Sequence, residues 1–272
     1  MSTKLTICLS IISFLLGCSD IPSQTAVLRL ATTTSTRDSG LLDLLIPVFE
    51  QQQNVLVDVV AAGTGKALKL GEAGDVDVVL VHARAAEDAF MAAGFGCRRE
   101  DVMVNQFELL GPPDDPAKIH GLSASEALQR IAAGGFRFVS RGDDSGTHKR
   151  ELALWTTGGG WHDWDQYVET GQGMGATLII ADQMLAYVLA DRGTYLCFSP
   201  KIDLIPLAAQ SPDLKNPYGI IVVSAENQPA TRAELAHALV DFFISPQVQT
   251  KIANFKLKGE SLFFPLQPTL RK

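Results

Sequence analysis

Four turns of this sequence place small or hydroxyl-bearing residues between a strand-like segment and the expected start of a helix. They are Thr33-Thr34-Ser35, Gly63-Thr64-Gly65, Ser145-Gly146-Thr147 and Gly175-Ala176-Thr177. A helix N-terminus carries unpaired backbone N–H groups and the positive end of the helix dipole, so it can hold an anion that short side chains allow to approach. Ser and Thr also cap helices in most proteins, and capping is the alternative for each turn alone. Four such turns together favour an anion site.

Arg141 is the side chain best suited to complete such a site. It follows an apolar strand-like segment and stands just before the Ser145-Gly146-Thr147 turn. A planar guanidinium can hold two oxygens of one anion at once. The alternatives are an ion pair with Asp143 or Asp144, or simple exposure to solvent. Beside the hydroxyl-rich turn, we expect contact with the ligand.

Other polar residues do not form a catalytic pattern. The sequence has no Ser-His-Asp order, no nucleotide-binding loop and no metal-ligand spacing. His82 and His148 are too widely separated in the pattern to suggest a metal site, and His82 is expected to end a strand near the cleft. Asp75 and Asp77 are expected to cap or pair near a lobe edge. We therefore expect a binding protein that is not an enzyme and has no cofactor.

The overall charge restricts the possible partners. The formal net charge is -7 and the pI is near 5.2, whereas a nucleic-acid partner would require a basic surface. An anion must therefore be held by local donors against an unfavourable overall field.

Alternating strands and helices place these residues in an α/β fold with parallel, crossover-connected strands. Ligands of such sheets bind beyond the carboxyl ends of the strands, where the turns lie. The segment Val102–Leu110 is predicted to cross into a second lobe, and Tyr218–Ser224 to return. The predicted domains are lobe 1 (27–110 and 218–272) and lobe 2 (111–217). The other expected strands are 27–31, 55–60, 76–81, 136–140 and 195–199. One expected helix is capped by Asp38 or Ser39, and Pro47 should end or kink it. Further helices are expected at 125–133, 173–189, 231–244 and 245–255.

The N-terminal segment resembles an export signal. Its apolar run, Leu5–Leu16, is shorter than the ~20 residues that span a bilayer and ends in Leu-Leu-Gly-Cys, which is similar to a lipobox. We predict a signal peptide at 1–17, lipid on Cys18 and a tether at 18–26; a soluble export signal is the alternative. Cys97 and Cys197 could form a disulfide in an oxidising compartment or remain two buried thiols.

Several long motifs resemble the tungstate-binding proteins of bacterial tungstate ABC importers, in order from Leu28 to Pro265. The chain departs from that family at Gln106, where Asp is usual, and in having Cys97 and Cys197. The motifs are Ala31-Thr32-Thr33-Thr34-Ser35-Thr36 with Asp38-Ser39-Gly40-Leu41-Leu42, Gly63-Thr64-Gly65-Lys66-Ala67-Leu68, Gly74-Asp75-Val76-Asp77-Val78, Ser140-Arg141-Gly142-Asp143-Asp144-Ser145-Gly146-Thr147-His148 and Asn216-Pro217-Tyr218-Gly219.

The resemblance implies a two-lobed type II periplasmic-binding-protein fold, each lobe a mixed, mostly parallel sheet flanked by helices, with the ligand between the lobes. It also implies an exported protein that delivers tungstate to an ABC permease and ATPase. Molybdate, phosphate or sulfate binding, or an oxyanion sensor that feeds a membrane receptor, are the alternatives. The ligand residues that it implies are Thr33, Thr34, Ser35, Thr64, Arg141, Ser145, Thr147 and Thr177.

Protonation bears on the choice of oxyanion. Tungstate and molybdate are fully deprotonated near neutral pH and only accept hydrogen bonds, whereas phosphate is partly protonated and needs an acceptor. Phosphate-binding relatives place an Asp after the third strand of the first lobe, but the comparable stretch here, Val78–His82, has no carboxylate. The expectation is a cleft lined with donors alone, which disfavours phosphate.

Overall fold

The structure is a computed structural model that describes residues 26–160, 164–224 and 230–266. The predicted signal peptide, Cys18 and nearly all of the tether lie outside the described residues. The strands are β1 (Ala26–Thr33), β2 (Val55–Ala62), β3 (Val78–Val81), β4 (Gly96–Gly111), β5 (Phe138–Ser140), β6 (Tyr167–Glu169), β7 (Tyr187–Asp191), β8 (Ile205–Pro206), β9 (Lys215–Val223), β10 (Lys256–Leu257), β11 (Glu260–Ser261) and β12 (Phe264–Pro265). The helices are α1 (Thr34–Asp38), α2 (Leu41–Gln53), α3 (Thr64–Glu72), α4 (Arg84–Ala92), α5 (Ala124–Ala133), α6 (Gly146–Thr157), α7 (Met174–Gln183), α8 (Arg192–Phe198), α9 (Ala230–Ile244) and α10 (Pro246–Asn254).

Two groups of parallel strands are joined through one long strand. In the first lobe β1 lies between β2 and β3, parallel to both, and β9 runs antiparallel to β3. In the second lobe β5 is parallel to β6 and β7. Strand β4 pairs with β9 as far as Gln106 and with β7 from Phe107 onward. The chain therefore passes between the lobes at this point, while the domain boundaries at 110/111 and 217/218 stay a prediction.

Each lobe has its own apolar core. In the first lobe β3 is buried along its whole length, as expected for a central strand covered on both faces, and Phe49 of α2 and Phe243 of α9 pack in the same core. In the second lobe Trp155 of α6 packs edge-on against Phe138 of β5. These cores fix the strand ends that carry the turns, so the turns are held on rigid supports.

The strand predicted at 195–199 is wrong, because these residues belong mainly to α8, which ends at Phe198. The strand precedes them, at Tyr187–Asp191, and the sequence interpretation had assigned this apolar run to the end of the preceding helix. Helix α7 in fact ends at Gln183, and Leu185 follows in the left-handed conformation (φ 49°). Helices commonly end in this conformation, but usually at Gly or Asn, so Leu185 gave no stop signal.

Two expectations for α2 are also corrected. The N-cap position of the helix is Gly40 (φ 81°) and not Asp38 or Ser39. Ser39 is the C-cap residue of α1, and its hydroxyl still accepts a hydrogen bond from the Leu41 N–H, the first of α2, at 3.3 Å. Pro47 lies inside α2 and does not end it, while the kink that was the other expectation stays a prediction. It is exposed, whereas Leu45, Ile46 and Phe49 around it are buried. Water can therefore solvate the backbone carbonyl that Pro47 leaves without a partner.

The two cysteines of the described residues are free thiols, with Cys97 exposed and Cys197 half-buried. The disulfide that an oxidising compartment would permit is therefore not formed in this structure. No helix within the described ranges combines the length and the apolar character needed to cross a bilayer.

Candidate functional site

A cleft of about 400 Å³ lies between the two lobes, at the carboxyl ends of their parallel strands. It contains all but one of the predicted ligand residues. From the first lobe these are Thr33, Thr34, Ser35 and Thr64, and from the second lobe Arg141, Ser145 and Thr147. The fold therefore brings together residues that are more than one hundred positions apart in the sequence.

Thr177 is the exception. Its side chain is fully buried, and its hydroxyl lies 2.9 Å from Thr170 Oγ1 and 3.2 Å from the carbonyl of Gly173. Since Thr177 lies in the first turn of α7 with its side chain turned into the lobe, it does not line the cleft. The cleft is lined instead by the residues just before it, from Gly173 to Ala176.

The four turns differ in how their helices are capped. Thr33 accepts a hydrogen bond from the Thr36 N–H (3.3 Å), and Ser145 accepts one from the His148 N–H (3.3 Å). Helices α3 and α7 begin after Gly63 and Gly173, neither of which can make a side-chain cap. Capping therefore explains the hydroxyls of Thr33 and Ser145, but it does not explain the turns at α3 and α7. No side chain caps the first N–H groups of these two helices, and the cleft is lined there by Thr64 of α3 and by Met174, Gly175 and Ala176 of α7.

Arg141 is held in place by two groups at the edge of the cleft. One terminal nitrogen forms an ion pair with Asp143, and Nε donates to the carbonyl of Gln172 at 3.2 Å. Asp143 Oδ1 also accepts from the Ser145 N–H at 3.2 Å. Partial burial raises the pKa of Asp143, but the Ser145 hydrogen bonds and the Arg141 charge outweigh it, so the pKa lies below its ordinary value. Asp143 thus stays ionised and orients Arg141 towards the turn.

Beneath Arg141 lies a buried carboxylate that sequence reasoning missed. Glu151 is 1% exposed and accepts from Ser140 Oγ and from the Tyr167 hydroxyl, each at 2.7 Å. Ser140 Oγ in turn accepts from the Gly142 N–H at 3.2 Å. Burial raises the pKa of Glu151, although the hydrogen bonds from Tyr167 and Ser140 oppose this shift. This network connects the core of the second lobe to the loop that carries Arg141.

The cleft is lined by the carboxylate residues Asp38 and Asp191, which corrects the expectation of a lining made of donors alone. Asp191, at the end of β7, lines the cleft and is 6% exposed. Its oxygens accept from the Thr194 N–H (2.9 Å) and the Thr194 hydroxyl (2.8 Å), which caps α8. The sequence interpretation missed Asp191 because it placed this segment past the end of a helix rather than at the end of a strand.

His82 marks the line along which the two lobes meet. Its Nδ1 lies 3.1 Å from Asn216 Oδ1, and its ring packs on Tyr218 with 4.6 Å between ring centroids. A β-carbon on Gly146, in the other lobe, would lie only 3.2 Å from His82 Cε1. Burial lowers the pKa of His82, and the Asp191 charge only partly offsets this effect. His82 directly follows β3 beside the cleft, as the sequence predicted.

The fold and the cleft define a binding protein of two lobes, and sequence comparison agrees. A family profile described as "PBP superfamily domain" matches residues 21–247. Among proteins of assigned function, "Tungstate-binding protein TupA" of Peptoclostridium acidaminophilum is 46% identical over 87% of this chain and 84% of its own length. The chain belongs to the PBP superfamily and, within it, to the family of these tungstate-binding proteins.

Solved structures support the same assignment. The tungstate-binding protein TupA of Desulfovibrio alaskensis G20 superposes with a TM-score of 0.83 at 44% identity, over 89% of this chain and 99% of that one. A structure described as the tungstate ABC transporter from Geobacter sulfurreducens gives a TM-score of 0.76 at 51% identity, over 84% of this chain and 98% of that one. The two-lobed type II fold predicted from the sequence is therefore confirmed.

Proposed function

We propose that this protein is the substrate-binding component of an ABC importer and that it captures tungstate between its lobes. The observation that carries the proposal is the convergence of Arg141 with hydroxyl-rich helix N-termini from both lobes on one cleft. The relatives named as tungstate-binding proteins indicate which oxyanion it takes. These relatives are transport components, and we propose no catalytic role for this chain.

Binding a dianion requires donors that replace its water. Arg141 supplies a charged, planar donor that can span two oxygens. The backbone N–H groups at the starts of α3 and α7, which have no side-chain cap, supply further donors, and Ser35 and Thr64, whose hydroxyls can also donate, line the same cleft. Because these donors come from both lobes, an anion in the cleft favours the closed arrangement of the lobes.

Because Asp191 lines the cleft, selectivity against phosphate cannot come from the lack of a hydrogen-bond acceptor there. Its carboxylate gives the cleft an acceptor, so a protonated phosphate would not be left without a partner. Each Asp191 oxygen already accepts from Thr194, and its negative charge disfavours every dianion alike. Discrimination against phosphate and sulfate therefore depends on size, since tungstate and molybdate are the larger tetrahedral anions.

Competition calorimetry at neutral pH tests this proposal. Tungstate should bind at least as tightly as molybdate, and sulfate and phosphate should bind far more weakly. The variant Asp191→Asn keeps the cap acceptor for Thr194 and removes the charge, so it should tighten all four anions without changing their order. Phosphate that binds as tightly as tungstate to the parent protein would contradict the proposal.

Delivery requires a permease and an ATPase on the membrane, and we propose that the chain is exported and anchored there through lipid on Cys18. The support is the Leu-Leu-Gly-Cys sequence after an apolar run. The variant Cys18→Ala should move the protein from the membrane fraction to the soluble fraction, while Cys8→Ala, within the predicted signal, should not. Finding the parent protein unmodified, with an N-terminus beyond residue 18, would exclude the lipid anchor.

A further inference from the structure

A second cavity, of about 380 Å³, lies behind the contact between His82 and Gly146. Both residues line it as well as the main cleft, so they form the wall between the two spaces. Its lining comes from both lobes and from the two strands that join them, through Phe107 of β4 and Asn216 of β9. A molecule in this cavity would contact both lobes at once.

The start of α4 supplies donors to this cavity. The residue before the helix, Ala83, makes no side-chain cap. The carboxylate of Glu87 accepts a hydrogen bond from the Ala83 N–H at 2.8 Å. It accepts none from the N–H groups of the first helical residues. Those of Arg84 and Ala85 have no partner within the helix, and both residues line the cavity.

Arg150 adds a positive charge that no carboxylate balances at close range. Among the described residues it has no ion pair; its Nη2 donates to the carbonyl of Lys215 at 3.1 Å, and the guanidinium lies 5.8 Å from the centre of the Phe107 ring. Burial lowers its pKa, opposed by the Asp213 charge. The other cations of the lining are paired, Arg84 with Asp88 and Lys149 with Asp144.

Asn216 points independently to a ligand. It is 1% exposed, and its Oδ1 lies against His82 Nδ1. Its Nδ2 is buried and has no hydrogen-bond partner among the described residues. Leaving a buried N–H donor unpaired is unfavourable, and Asn216 lines the second cavity but not the main cleft. An acceptor atom in the cavity would satisfy this donor.

We propose that the second cavity binds a monocarboxylate with a short apolar body and that this ligand stabilises the closed lobes. The carboxylate pairs with Arg150 and accepts from Asn216 Nδ2 and the start of α4. One unbalanced cation matches one negative charge, while Ala86, Ala153, Phe107 and Pro217 supply apolar contacts for the ligand body. The volume lies in the range of small-molecule sites.

Calorimetry with butyrate as the probe tests this site, with butyramide as its neutral isostere. Butyrate should bind saturably to the full chain and butyramide at least tenfold more weakly. Arg150→Gln should weaken butyrate at least tenfold, whereas the control Arg130→Gln, an exposed arginine of α5 that lines neither cavity, should change it less than threefold. No saturable binding of butyrate, or equal binding of butyramide, would overturn the proposal.

The coupling between the two spaces is the second test, and this part rests on the proposed function. Saturating butyrate should tighten tungstate binding, and tungstate should tighten butyrate binding by the same factor. Arg150→Gln should abolish that gain and leave tungstate affinity without butyrate unchanged. Competition between the two ligands would place butyrate in the main cleft and overturn the second site. If tungstate itself does not bind, the direct butyrate titration still decides this proposal separately.

Discussion

The contact between His82 and Gly146 makes lobe closure sensitive to a single methyl group. In Gly146→Ala the new β-carbon would lie 3.2 Å from His82 Cε1, inside ordinary van der Waals distance. The imidazole cannot retreat easily, because Asn216 holds its Nδ1 and Tyr218 packs on its face. The strain therefore falls on the closed arrangement, which is the one that places donors of both lobes around the anion.

The size of the effect follows from the cost of overpacking. Forcing an extra carbon into a well-packed contact costs about 1–3 kcal/mol. If closure bears this cost, tungstate binding should weaken by about fivefold to about 150-fold. The backbone N–H of residue 146 is unchanged, so no donor is lost. Replacing glycine by alanine also reduces the freedom of the unfolded chain, and the melting temperature of the ligand-free protein should not fall.

Calorimetry with tungstate, combined with small-angle X-ray scattering of the ligand-free and ligand-bound states, is the appropriate assay. The matched control is Gly65→Ala, because Gly65 does not line the cleft although its turn does, its backbone N–H is kept, and a β-carbon there meets no atom within 4 Å. Gly146→Ala should show weaker binding and incomplete compaction, and Gly65→Ala neither. Binding by Gly146→Ala within twofold of the parent would refute the role of this contact in closure.

Three further predictions concern side chains of the cleft and its support. Arg141→Glu should abolish tungstate binding in calorimetry with little loss of melting temperature, and Arg141→Lys should be intermediate because the charge stays but the planar fork is lost; parent-like binding by the Glu variant would contradict this role. Glu151→Gln should lower both the tungstate affinity and the unfolding free energy, the latter by about 1–3 kcal/mol, because an amide N–H₂ would face a donor. The control is Glu72→Gln, at an exposed residue of α3. Unchanged tungstate affinity in Glu151→Gln would show that this network does not support Arg141. Burial lowers the pKa of His82, so the unfolded chain takes up a proton below about pH 6.5 that the folded chain does not. The free energy of unfolding therefore falls by at most about 1.4 kcal/mol per pH unit as the pH drops. Urea unfolding at pH 5 and pH 7 should show a smaller difference in unfolding free energy for His82→Gln than for the parent.

The elements and the turns could be predicted because their signals are local. Apolar runs mark β1, β2 and β3, and the Ser, Thr and Gly residues that follow β1, β2 and β5 mark helix starts. The position of Arg141 in the cleft was predictable from its place between a strand and such a turn. The cleft residues predicted this way are those whose position depends on their immediate neighbours in the chain, and their contact with the ligand stays a prediction.

The residues that were missed depend on tertiary position. Asp191 reaches the cleft because α7 ends early, at Gln183. Leu185, just after it, has the left-handed backbone conformation, which a leucine does not predict. Glu151 acts through Ser140 and Tyr167, which the fold brings to it. Thr177 fits the motif, but the rotation of α7 turns its hydroxyl away from the cleft. Sequence alone does not give that rotation.

Because Gly63 and Gly173 precede α3 and α7, no side-chain cap competes with the anion for the first N–H groups of these helices. An Asp or Ser at either position would place an oxygen beside the same N–H groups that face the cleft. Such a tethered group acts at an effective concentration of about millimolar or more, and an incoming anion would have to displace it. Glycine carries no such oxygen, so the anion meets only water as a rival for these two helix ends.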